Sequence, residues 1–78
     1  MRKKTLADVV GENIYFYRKQ KKLTICKLAA LIDSDRSYLG RVENGRANPS
    51  LKKLFYVAKA LEVPLSSLFR DKDRIFSN

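Results

Sequence analysis

Arg36 and Gly40, Ser37 and Gly40, and Ser37 and Arg41 are each separated by three or four positions, so on a helix the four share one face, opposite Leu39 and Val42. An arginine guanidinium can bond bidentately to O6 and N7 of guanine, and a serine hydroxyl can reach a base edge or a phosphate. Gly40 is the informative member of the set. Glycine inside a helix costs about 1 kcal/mol against alanine, and a merely solvated face gains nothing in return. A face laid against nucleobases does gain, because the missing side chain permits close approach. Arg36, in the first turn, leads as a base reader, and Arg41 could meet a base or a phosphate. Tyr38 divides between the core and a hydroxyl offered outward.

A helix can do this only if neighbouring elements hold it out, and the helical period is plain along the chain. Leu6, Val9, Val10, Ile14 and Tyr17 predict a first helix over about residues 5 to 21. Arg18, Lys19, Lys21 and Lys22 crowd its C-terminal turn, which suits the negative end of the helix dipole. Leu28, Ala29 and Ile32 form the inward stripe of a second helix capped by Thr24. Ala29 is small enough to let two helices cross closely, although alanine is also a good helix former anywhere. Asp33-Ser34-Asp35 is turn chemistry, with Asp35 or Ser34 capping the third helix and Asn44-Gly45 ending it. Ser50 caps a fourth helix striped by Leu51, Leu54, Val57, Ala58 and Leu61, and Pro64 separates it from a short fifth at Leu65, Leu68 and Phe69. Strand alternation persists nowhere. The expectation is an all-α bundle of five helices in one domain over residues 1–78, with a core at 5–70 and a tail at 71–78.

Composition narrows the partners. Seventeen Lys and Arg against eight Asp and Glu leave a net charge of +9, which points first to nucleic acid and second to an anionic membrane surface. A chain of 78 residues buries only about 60% of its unfolded surface, so a stabilising aid is expected. Cys26 is the one cysteine and there is no histidine, so neither an internal disulfide nor a structural zinc site fits, and oligomerisation is the remedy left. Cys26 itself reads as a small apolar residue, the alternative being a redox-sensing thiol. Asp8 and Glu12 interrupt what would be the apolar part of a leader after Met-Arg-Lys-Lys. No window approaches the roughly 18 apolar residues of a membrane span, so the expected location is cytoplasmic. Without histidine, paired carboxylates or a glycine-rich phosphate loop, nothing supports an enzyme or a cofactor site.

The stretch from about Gly11 to Arg70 resembles the lambda-repressor-like, or Xre/Cro, helix-turn-helix family. The matching elements are Ile14 and Arg18; Leu23-Thr24; Lys27-Leu28-Ala29; Arg36-Ser37-Tyr38-Leu39; and Arg41-Val42-Glu43-Asn44-Gly45. Asn48-Pro49-Ser50-Leu51, Ala58-Lys59-Ala60-Leu61 and Pro64 to Phe69 complete it. Within the family, Asp35-Arg36-Ser37-Tyr38 is most similar to the controller proteins of restriction-modification systems. The resemblance implies a five-helix DNA-binding domain with the helix-turn-helix at helices 2 and 3. It implies base reading by Arg36, Ser37, Gly40 and Arg41. It implies phosphate contacts from Thr24, Tyr38, Asn44, Arg46, Asn48, Ser50 and Lys52, in keeping with the attraction of free helix-start N–H groups for phosphate. It also implies a salt bridge between Arg18 and Glu43, which would explain an acid beside a phosphate-facing surface. Two positions depart from the pattern: Ile25 stands where glutamine commonly contacts a phosphate, and Asp33 where glycine is favoured in the turn.

The expected function is a sequence-specific regulator of transcription that binds double-stranded DNA as a homodimer on an inverted-repeat operator. Leu65, Leu68, Phe69, Ile75 and Phe76 offer the apolar surface for that dimer. The competing expectation is a protein-interaction adaptor, such as an antitoxin, built on the same fold. No small-molecule pocket is legible.

Overall fold

Every α-helix begins at a side chain that takes over one of its orphan amides. In the computed structural model, which describes residues 4–71, the elements are α1 (Leu6–Gln20), α2 (Ile25–Leu31), α3 (Arg36–Glu43), α4 (Leu51–Leu61) and a 3-10 turn (Leu65–Phe69). Thr24 Oγ1 accepts from Lys27 N at 3.0 Å, Asp35 Oδ1 from Tyr38 N at 2.7 Å and Ser50 Oγ from Lys53 N at 3.1 Å. Thr5 and Asp8 form a reciprocal capping box, the Thr5 amide donating to Asp8 Oδ2 at 2.8 Å and the Asp8 amide to Thr5 Oγ1 at 3.1 Å. Each such cap is worth about 1 kcal/mol.

The chain leaves its helices through left-handed residues, and only one of these is glycine. Gly45 (φ 75°) follows α3, whereas Lys22 (φ 59°), Asp33 (φ 56°) and Glu62 (φ 60°) follow α1, α2 and α4. Asp33 thus adopts the backbone that the turn between α2 and α3 requires. Aspartate tolerates it better than most residues because its short polar side chain can bond locally.

The core gathers Val10, Ile14, Leu28, Ala29, Ile32, Leu39, Val42, Leu54, Val57, Ala58, Leu61 and Leu68. Leu6 and Leu51, assigned to inward stripes, are exposed instead, at 63% and 66%. Each is the first residue of its helix, where the side chain projects past the end of the core lined by later turns. The fifth helix is also corrected. After Pro64 the chain forms a 3-10 turn in place of an α-helix, with Ser67 N donating to Pro64 O at 2.9 Å.

Two residues of α1 that the periodicity passes over decide how it packs. A Cβ on Gly11 would overlap the carbonyl oxygens of Val42 and Glu43, so the interior of α1 and the C-terminal end of α3 meet backbone to backbone there. Asn13 is buried, and its amide donates to Leu68 O at 2.9 Å and Arg70 O at 2.7 Å, fixing the 3-10 turn against α1.

Candidate nucleic-acid interface

Leu39 and Val42 anchor α3 in the core at 1% and 2% exposure, and this turns the opposite side of the helix outward. Arg36, Ser37 and Arg41 are exposed there, with Gly40 between them. A shallow groove lined by Ser37, Gly40, Arg41, Asn44, Gly45 and Arg46 runs along α3 and its exit. A Cβ added to Gly40 would touch only Ile25 Cδ1, at an ordinary 3.8 Å. The fold therefore has no internal need for glycine at this position.

Among the described residues, no hydrogen bond or ion pair ties down the side chains of Arg36, Ser37, Asn44, Arg46 or Asn48, all of them exposed. Arg41 is steadied more gently, its guanidinium 5.7 Å from the centroid of the Tyr38 ring. Lys53 approaches the same ring at 5.9 Å while donating to Ser34 Oγ at 2.8 Å. Tyr38 is half-buried against the core, so its ring carries two cations at the edge of the α3 face. Thr24 and Ser50 stand at their helix starts as caps and Lys52 is exposed in the first turn of α4.

Glu43, on the same helix, is removed from this face. Its side chain is 7% exposed, and Arg18 Nε donates to its Oε2 at 2.7 Å while Arg18 Nη2 donates to Oε1 at 3.1 Å. Arg18 Nη1 also donates to Leu23 O at 2.8 Å, so one guanidinium joins α1, the entry to α2 and the end of α3. The fork geometry fixes both orientation and distance, which a lysine could not do. No buried side-chain polar atom among the described residues lacks a partner.

The apolar surface is distributed differently from the reading of the sequence. Leu68 is fully buried in the core of the same chain, because the 3-10 turn folds it under α1 and α4, and it offers nothing to a partner. Leu65 is half-buried and Phe69 is 37% exposed, while Ile75 and Phe76 lie outside the described residues. The more exposed aromatics are Tyr15 at 50% and Phe16 at 41% on α1, and Phe55 at 50% and Tyr56 at 44% on α4. The signal of the α4 pair in the sequence is two adjacent rings falling off the inward stripe of that helix. Cys26 is exposed on α2. No helix among the described residues is long and apolar enough to cross a membrane.

A short α2 and α3 joined by a tight turn, with the second helix held outward, define a helix-turn-helix domain. The Helix-turn-helix family model matches residues 14–68, and the chain belongs to that family. It is 41% identical over 66 residues to the immunity repressor protein of Bacillus phage phi105, a match spanning 85% of this chain and 46% of the repressor. The chain thus spans less than half the length of that relative. The crystal structure of the restriction-modification controller protein C.AhdI from Aeromonas hydrophila superposes with a TM-score of 0.78 at 36% identity, over 81% of this chain and 96% of that one. SinR, the master regulator for biofilm formation, solved in complex with DNA, gives 0.72 at 34% identity over 78% and 98% of the two chains.

Proposed function

We propose that this chain is a sequence-specific regulator of transcription that binds double-stranded DNA by laying α3 in the major groove. The observation that carries this reading is the α3 face itself. Arg36, Ser37, Gly40 and Arg41 stand together, and the fold uses none of them inward. Arg36 and Arg41 supply bidentate donors for guanine, Ser37 a short hydroxyl, and Gly40 the clearance that brings them within reach. Thr24, Tyr38, Asn44, Arg46, Asn48, Ser50 and Lys52 contact phosphates on either side and set the register. The likeness to a phage repressor, to a restriction-modification controller and to a regulator solved on DNA supports regulation by promoter occupancy, with restriction-modification genes as the target class. The protein works in the cytoplasm and catalyses no reaction.

It acts as a homodimer. Phe69 and Leu65, joined by Phe55 and Tyr56 of the neighbouring α4, supply the apolar contact. A two-fold dimer sets two recognition helices about one DNA turn, roughly 34 Å, apart, which demands an inverted-repeat operator. Selection from a pool of random duplexes tests the whole reading. Enrichment of an inverted repeat with half-site centres one turn apart is expected. Recovery of duplexes with no common sequence would contradict it.

A further inference from the structure

The α3 face holds one apolar element among its cations. Ile25, the first residue of α2, is half-buried, and its Cδ1 lies 3.8 Å from where a Gly40 Cβ would stand, with no other atom of a neighbouring element as near. The space above Gly40 is therefore open on the outward side and walled on one side by a methyl group. Ser37 and Arg41 line the groove next to Gly40, while Ile25 lines the neighbouring depression with Arg18, Lys19, Lys22, Leu23 and Thr24. An isoleucine at this place cannot donate to a phosphate. Its stem packs against the core, while its tip reaches the edge of the polar face beside Gly40.

Of the four bases, only thymine presents an alkyl group in the major groove, its C5-methyl, and apolar side chains are what read it. We infer that Ile25 and Gly40 together form a thymine-reading notch: Gly40 leaves room for the C5-methyl and Ile25 Cδ1 supplies its apolar wall. The inference rests on the proposed docking of α3 in the major groove. It makes Ile25 a specificity-determining residue contributed by α2, and divides the face between hydrogen-bond readout by Arg36 and methyl readout at Gly40. The half-site then contains a thymine whose identity no hydrogen bond enforces.

Replacing dT by dU removes only that methyl, which makes the test specific. With the full chain and the operator recovered from random duplexes, each thymine is replaced in turn by deoxyuridine and the dissociation constant measured. One thymine per half-site is expected to lose about fourfold in affinity, the worth of a single methyl withdrawn from water. Ile25→Val deletes Cδ1 alone and keeps the rest of the branched side chain, so the fold is retained. In that variant, and in Gly40→Ala, the dU penalty at that thymine should fall to near onefold while other thymines behave as before. A dU penalty unchanged by Ile25→Val, or no penalised thymine at all, overturns the notch and leaves DNA recognition intact. Failure to recover any operator would instead sink the docking reading on which the notch depends.

Discussion

Gly11 and Gly40 occupy helix interiors in the same small domain, yet they answer to opposite constraints. At Gly11 a side chain would run into the backbone carbonyls of Val42 and Glu43, so the residue is dictated from within. At Gly40 a side chain would meet one methyl at ordinary contact distance, and nothing within the described fold calls for its absence. The surroundings repeat the contrast. Around Gly11 the polar groups are paired: Asn13 holds the 3-10 turn and Arg18 holds Glu43. Around Gly40 the side chains of Arg36, Ser37, Asn44 and Arg46 have no partner among the described residues. One region is specified by folding and the other by whatever binds it.

The largest test of the folded side is Glu43→Ala. It strands the Arg18 guanidinium at 9% side-chain exposure, and breaking such a buried pair typically costs about 3–5 kcal/mol. For a domain of this size that leaves little folded protein, and urea denaturation followed by circular dichroism measures it. Gly11→Ala should cost about 1–3 kcal/mol by overpacking in the same assay. Gly40→Ala should do the reverse, raising stability by up to about 1 kcal/mol through helix propensity while weakening DNA binding. Equal effects of the two alanines on folding would erase the comparison. The smallest effect is at Glu62, whose carboxyl is held below the usual carboxylate range by a hydrogen bond from Lys21 and by its charge. Because the folded pKa is the lower one, the stabilisation is present above the unfolded carboxylate range and is lost as pH falls through the folded value. Glu62→Gln should therefore lose slightly less stability on acidification than the parent chain, and the difference should shrink in salt, since the pair is exposed.

Much of this was legible in the chain because the signals are local. Thr24, Asp35 and Ser50 announce helix starts, Gly45 announces a helix end, and the three-and-four spacing of Leu39 and Val42 sets which side of α3 turns out. The errors arise where burial depends on contacts between distant segments. Leu68 fits an apolar surface patch equally well until the 3-10 turn is seen to tuck under α1, and Leu6 and Leu51 keep the helical period while lying beyond the core. Gly11 and Asn13 carry no periodic signal, since their roles are a backbone crossing with α3 and two carbonyls more than fifty positions away. The proximity of Ile25 to Gly40 is likewise a product of the angle between α2 and α3, which no spacing along the chain encodes.

Base reading by α3 is best probed with Arg36→Ala. The dissociation constants of the parent and the variant are compared on the selected operator, on operators changed at single positions and on random duplex. A loss of about 1–3 kcal/mol on the operator is expected, with relaxed preference at one position per half-site and little change on random DNA. Equal weakening on operator and random DNA would make Arg36 a phosphate contact and would contradict base reading by α3.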